Sequence, residues 1–189
     1  MRIAVVTGNP KPASRTHGVA LAVADTLRAA LVPSARSAPK VPSSAAPGAP
    51  APLIVDLAEH APALFDSSDA ELTRLTAEVA AADVAIFASP TYKASYTGML
   101  KAFLDRYGSN GLAGVLAVPV MTGGWAGHSL AVEVHLRPVL VELGATVPAR
   151  GLYVTEPELT DLDTAIAGWA ATAGPLIRGV LVGYEASEA

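Results

Sequence analysis

The residues from 7 to 16, Thr-Gly-Asn-Pro-Lys-Pro-Ala-Ser-Arg-Thr, place turn-forming backbone, the hydroxyls of Ser14 and Thr16 and the cations of Lys11 and Arg15 around one point. An apolar run precedes them and a helical pattern follows. Free N–H groups, hydroxyls and positive charge at the start of a helix suit a phosphate. The same Ser14 or Thr16 could equally do no more than cap the helix. Neither a dinucleotide fingerprint nor a Walker loop is present, because Gly8 stands without the further glycines or the Gly-Lys-Ser/Thr ending that those motifs need.

A second segment, residues 89 to 105, begins Ser-Pro-Thr-Tyr-Lys. Pro90, Thr91, Tyr92 and Lys93 offer backbone amides, an aromatic face and a cation, a set that can lie against a planar ring and its carbonyls. Tyr92 also reads as an ordinary surface aromatic. The third segment, Met121-Thr122-Gly123-Gly124-Trp125-Ala126-Gly127-His128, again runs from an apolar stretch into a turn. Paired glycines let the backbone approach a ligand and leave its N–H groups free.

The elements that must position these segments alternate between apolar runs and amphipathic stretches, the pattern of a parallel sheet covered by helices on both faces. Strands are expected at 2 to 7, 53 to 56, 83 to 89, 114 to 121 and 149 to 154, and helices at 15 to 31, 69 to 81, 96 to 107, 127 to 143 and 161 to 180. In the helix after Ser95, Met99, Leu100, Phe103 and Leu104 share one face, and Ser95 or Thr97 is placed to cap it. Five strands in strict alternation fit a flavodoxin-like three-layer α/β/α sandwich, a five-stranded parallel sheet of order 2-1-3-4-5. In that topology the loops after strands one, three and four meet at one edge. All three segments are such loops.

The chain of 189 residues reads as a single domain over 1 to 182, followed by a flexible tail at 183 to 189. Residues 33 to 52 are rich in Pro, Ala and Ser, with almost no large apolar side chain, and read as a disordered surface insertion. Although 51% of residues are hydrophobic, no uninterrupted apolar run approaches the length of about 20 that a membrane-spanning helix needs. The amino terminus reads as a first strand and not as a secretion signal. No cysteine is present, which removes disulfides, thiolate chemistry and dithiol redox centres, so any redox reaction must borrow a cofactor. A net charge of −4 without a basic run argues against a nucleic-acid partner. His17, His60, His128 and His135 form no ligand spacing with carboxylates, so no metal is expected, and no Ser-His-Asp arrangement is readable. The expected location is cytoplasmic.

Taken together, Thr7-Gly8-Asn9-Pro10 with Ser14-Arg15-Thr16, the run from Ser89 through Lys101 to Asp105, and Thr122-Gly123-Gly124 with His128 and Leu136-Arg137-Pro138 resemble the NAD(P)H-dependent FMN reductase family. The nearest likeness is to the small reductases that feed reduced flavin to sulfonate monooxygenases. It covers residues 1 to about 155 outside the Pro/Ala-rich insertion.

The resemblance implies two nucleotides, FMN and NAD(P)H. It gives Asn9, Lys11, Ser14 and Thr16 to the FMN phosphate, Pro90, Thr91, Tyr92 and Lys93 to the isoalloxazine and ribityl groups, and Thr122, Gly123 and Gly124 to the polar edge of the ring. No side chain is implied as a catalytic acid or base, because the flavin itself carries the hydride. A homodimer or homotetramer and a partner flavin-dependent monooxygenase are implied as well, with Asp105 and Arg106 at subunit packing. Asn9 stands where many relatives have Ser, and Lys11 where they have Arg, which removes a bidentate phosphate contact. Some sulfonate-type relatives carry an inserted Tyr in a π-bulge of the fourth helix. This chain reads Glu133-Val134-His135-Leu136 there, so the resemblance does not carry over the bulge or its flavin-transfer behaviour, and Arg137-Pro138 is expected to kink that helix. An FMN-bound quinone, azo-dye or metal-ion reductase would use the same loops. A flavodoxin-like electron carrier without NAD(P)H oxidation is the third reading.

Overall fold

Three of the five strands are buried along nearly their whole length, so their backbones must pair on both sides and their side chains must be covered on both faces. In the computed structural model, which describes residues 1–31 and 50–187, this is met by one parallel sheet of order β2-β1-β3-β4-β5. The strands are β1 (Ile3–Thr7), β2 (Leu53–Asp56), β3 (Val84–Pro90), β4 (Leu116–Gly123) and β5 (Leu152–Thr155). Helices α1 (Arg15–Leu31), α2 (Ala70–Ala80), α3 (Gly98–Leu104), α4 (Arg137–Glu142) and α5 (Leu162–Ser187) flank it. The flavodoxin-like order expected from the sequence is the one observed.

Alternation along the strands divides the core in two. Ala85 and Phe87 of β3 pack with Leu72 and Leu75 of α2, Leu100 and Phe103 of α3, and Leu136 and Leu140. Val84, Ile86 and Ala88 face the other way, onto Val19, Val23 and Leu27 of α1 and Ile166 and Ile177 of α5. The register Thr7↔Ala88 and Ser89↔Met121 brings the ends of β1, β3 and β4 level at one edge. Arg106 stitches the end of α3 to the start of α2, donating from Nη1 to the Asp66 carbonyl at 2.7 Å.

Several boundaries differ from the sequence expectation. β4 continues through Thr122 and Gly123, because Pro90 and Thr91 pair with Thr122 and extend the ladder by two residues. The single helix expected over 127 to 143 is three pieces: a 3₁₀ turn at Ala126–His128, a π-helical turn at Val132–Leu136, and α4. The bulge that the missing Tyr argued against is therefore present. Its cause is visible in the backbone. Pro138 has no N–H to donate to the Val134 carbonyl and its ring would crowd that oxygen, whereas widening the preceding turn lets Arg137 N–H donate to the Val132 carbonyl instead. Pro138 thus stands at the start of α4 and kinks nothing inside it. Glu133 and Arg137 lock this turn to the approach to β5: Glu133 Oε1 accepts from Gly151 N–H at 2.6 Å, and Arg137 donates to the carbonyls of Val147 and Ala149.

The expected insertion at 33 to 52 falls almost wholly outside the described residues, apart from its last three, which are irregular. Helix α5 runs to Ser187, past residue 183 where a tail was expected, since Tyr184, Glu185 and Ala186 do nothing to break it. Pro157–Tyr184 is the one stretch among the described residues long and apolar enough to cross a membrane by length and composition. In this fold Ile166, Ala173 and Ile177 turn inward against the sheet and α1.

Thr97 is fully committed at the edge where the three loops meet. Its hydroxyl accepts from Leu100 N–H at 3.2 Å, capping α3, and donates to the Gly8 carbonyl at 2.5 Å. Thr97→Val keeps the shape and removes both bonds, leaving a buried carbonyl unpaired. It should lower the unfolding free energy by about 2–4 kcal/mol in a urea titration, whereas Thr97→Ser should cost under about 1.5 kcal/mol.

Candidate functional site

The three loops converge because specific bonds hold them together. Gly8 N–H donates to the Ala88 carbonyl at 2.8 Å, and any Cβ at Gly8 would overlap the Cβ of Leu100. Only glycine lets β1 end this close to α3. Thr91 N–H donates to the Thr122 carbonyl at 2.7 Å, which joins the β3 loop to the β4 loop. The hydroxyls of Thr16 and Thr122 lie 2.7 Å apart, joining the β1 loop to the β4 loop across the edge.

Around that junction the first loop is shaped from within. Asn9 Oδ1 accepts from Lys11 N–H at 2.9 Å, and Asn9 Nδ2 donates to Thr16 Oγ1 at 3.4 Å. Ser14 precedes α1 and accepts from His17 N–H at 3.2 Å, so the cap expected there is made. Asn9, Ser14 and Thr16 are buried, whereas Lys11 and Arg15 are exposed. Ala13 sits in the left-handed region at φ 47°. That conformation costs an alanine about 1–2 kcal/mol and is held by its surroundings.

The second loop is a tight hairpin. Tyr92 and Ser95 exchange backbone hydrogen bonds of 2.8 and 3.1 Å, with Lys93 at φ 52° and Ala94 at φ 63° between them. Two consecutive left-handed residues make a turn that ordinarily calls for Asn-Gly, so this chain holds Lys93 at a bend that glycine would occupy more cheaply. Tyr92 and Lys93 stand exposed at its tip. The buried Thr91 Oγ1 has no hydrogen-bond partner among the described residues. An unpaired buried hydroxyl facing Gly123 is a donor in search of an acceptor.

The third loop is narrowed by β5. A Cβ at Gly123 would overlap Tyr153 Oη, and Tyr153 Oη donates to the Trp125 carbonyl at 3.1 Å. Trp125 is 65% exposed yet fixed in pose, its indole edge-on to His128 at 4.9 Å and its ring over Gly127. His128 therefore packs on Trp125. Arg15 reaches across to an ion pair with Glu156, whose own N–H donates to the Gly123 carbonyl at 3.0 Å. Both partners are largely exposed, so the pair is worth little energetically.

Of the residues singled out from the sequence, Asn9, Ser14, Thr16, Thr91 and Thr122 are joined in one bonded cluster or lie directly on it, with Pro90 and Gly123 in the strand ends beneath. Lys11, Tyr92, Lys93 and Gly124 ring it as exposed groups. Sequence reasoning missed Asp56, Trp125, Tyr153 and Glu156. For Asp56 a signal existed, an acid closing an apolar strand at the same sheet edge. Nothing local marked the others. Asp105 pairs with Lys101 and holds that ammonium's pKa above its ordinary value, while Arg106 is spent inside the chain.

An orphan hydroxyl, a glycine edge, a capped helix start and a basic loop gather hydrogen-bond donors at one edge of the sheet. Such a set fits a phosphorylated planar cofactor. Residues 1–158 match the family described as NADPH-dependent FMN reductase. The chain belongs to that family. It is 32% identical over 160 residues to the NADH-dependent FMN reductase SfnF of Pseudomonas putida, an alignment covering 82% of this chain and 77% of that protein. It is 38% identical over 99 residues to an FMN reductase (NADPH) of Escherichia coli, where the match spans about half of each chain (52% and 51%). Among solved structures it is similar to an oxidoreductase from Corynebacterium diphtheriae, with TM-score 0.76 and 27% identity over 93% of this chain and 96% of that one. An NADH:FMN oxidoreductase in its apo form gives TM-score 0.67 and 29% identity, covering 89% of this chain and 87% of that one. The fold and the membership expected from the sequence are thus both found.

The strained hairpin yields a direct test. Ala94→Gly should raise stability by about 0.5–1 kcal/mol, read from the urea midpoint, because it removes a left-handed alanine without removing a contact. A loss of stability would mean that the turn is not held as described.

Proposed function

We propose that this protein oxidises NAD(P)H and reduces FMN, with the flavin seated across the three loops after β1, β3 and β4. The observation that carries the reading is the junction itself: Thr16, Thr91 and Thr122 bring polar groups from three strand ends to one cleft, with Ser14 and the start of α1 at one end and the Gly123-Gly124 edge at the other. Bound FMN supplies the isoalloxazine ring that takes up a hydride from the nicotinamide.

The chain's own residues bind and orient. The N–H groups of the loop at 9 to 16, with the hydroxyls of Ser14 and Thr16 and the ammonium of Lys11, hold the phosphate. Lys11 does so as a point charge, without the two-pronged fit of an arginine. Thr91 Oγ1 and the backbone of Pro90, Tyr92 and Lys93 would hold the ring and ribityl side, with the exposed Tyr92 and Lys93 side chains beside it. Thr122 and the backbone of Gly123 and Gly124 would hold the polar edge of the ring. Because the work is positioning, no triad is required.

A homodimer or homotetramer belongs to the same proposal. The outward side chains of Leu130, Val134 and Val141, all more than half exposed along the π turn and α4, support it. Supply of reduced FMN to a partner monooxygenase is proposed from the likeness to SfnF, and a cytoplasmic location from the cysteine-free chain.

Lys93→Ala and Ser14→Ala should each weaken FMN binding, about tenfold in a fluorescence titration of flavin-stripped protein, while turnover at saturating FMN falls less than about threefold. Unchanged FMN affinity in both would remove the assignment. Retention of flavin through gel filtration would instead favour a reductase of quinones, azo dyes or metal ions, and absence of NAD(P)H oxidation an electron carrier.

A further inference from the structure

Asp56 ends β2, one strand away from the three loops, and is 94% buried. A carboxylate in that position must have its oxygens satisfied, and both are. Oδ2 accepts from Ala13 N–H at 3.0 Å and Oδ1 from Ala58 N–H at 3.2 Å. The first bond reaches 43 residues along the chain into the loop before α1, and it lands on the one residue of that loop whose backbone is left-handed. The second anchors the carboxylate in the 3₁₀ turn after β2, so the group cannot follow the loop if the loop moves. His17 Nδ1 lies 3.0 Å from Thr7 Oγ1 and 3.9 Å from Asp56 Oδ2, filling the space between β1 and the acid.

We propose that Asp56 is the positioning residue of the phosphate loop: by holding Ala13 N–H it fixes the left-handed bend that presents residues 9 to 16 to the phosphate, and so it sets the preference for FMN over riboflavin. The inference rests on the reading of this loop as the phosphate site. In this role Asp56 acts through the loop backbone, by its bond to Ala13 N–H. A negative charge behind a phosphate is adverse by Coulomb's law alone, so its presence there requires a geometric reason, and the two effects predict opposite signs on its removal. If charge dominated, neutralising Asp56 would tighten FMN. If the bend dominates, removing the acceptor frees Ala13 to relax toward ordinary backbone and weakens FMN, while riboflavin, which has no phosphate, is indifferent.

The experiment titrates flavin-stripped full-length protein with FMN and with riboflavin, read by flavin fluorescence, alongside thermal melting. Asp56→Ala should raise the Kd for FMN by about tenfold or more and leave that for riboflavin within about twofold. Adding Ala13→Gly to Asp56→Ala should restore most of the lost FMN affinity, since glycine adopts the bend without help. Should Asp56→Ala not fold, Ala13→Val opposes the same bend with Asp56 in place and should reproduce the selective loss. Equal weakening of both flavins, no weakening, or tightening of FMN overturns the proposal. Equal binding of FMN and riboflavin by the unmutated protein would remove the phosphate reading itself, and with it any loop for Asp56 to hold.

Discussion

One hydroxyl sets the geometry of the site edge. Thr97 Oγ1 gives its proton to the Gly8 carbonyl and its lone pair to Leu100 N–H, so a single buried atom fixes the end of β1 and the start of α3 at once. A hydroxyl is suited to this because it donates and accepts together. Its partner condition is that Gly8 has no side chain, since α3 approaches β1 through the space a Cβ would fill. With that contact made, β3 must turn at Pro90 into the hairpin at 92 to 95, and the Ser89 hydroxyl is left to accept Thr97 N–H at 2.9 Å. The cleft follows from these few bonds.

The same economy appears in how strain is distributed. Of the four non-glycine residues with left-handed backbone among the described residues, Ala13, Lys93 and Ala94 lie in loops assigned to flavin contacts, and the fourth, Asn110, is of a type that tolerates it. Ordinary sequence choice would put glycine or asparagine there. Alanine and lysine are held at such bends against their own preference, so it is the restraints on the loop that fix its shape before a ligand arrives and lower the ordering cost of binding. Asp56 and the Tyr92–Ser95 bridge are the restraints that oppose the strain. The π turn at Val132–Leu136 belongs to a different problem, the accommodation of Pro138 in a chain that must still reach α4.

Most of the architecture is legible in the sequence, because unbroken apolar strands and 3.6-residue helical faces are periodic signals. Phe87 and Leu100 are core residues by pattern alone, and Thr97 is a cap by position. What pattern could not reach falls into two kinds. Local rules fail where two segments settle a boundary between them, as when Pro90 and Thr91 extend β4 to Gly123 by pairing with Thr122. They fail also where a residue acts across a long stretch of chain. Asp56 to Ala13 and Arg15 to Glu156 are contacts of topology, with no spacing to announce them. The π turn needs no Tyr: Pro138, four residues beyond Val134, lacks the N–H that an unbroken α-helix would require there.

The central claim is that three strand-end loops seat one FMN, phosphate toward residues 9 to 16 and ring toward 90 to 93 and 122 to 124. A crystal structure of the protein with FMN tests it most directly. The account predicts the phosphate oxygens within hydrogen-bonding reach of the Ser14 and Thr16 hydroxyls and the loop N–H groups, with the ring's carbonyl edge at Gly123-Gly124 and Thr91 Oγ1 newly paired. Flavin bound elsewhere, or bound with its phosphate away from that loop, would contradict it.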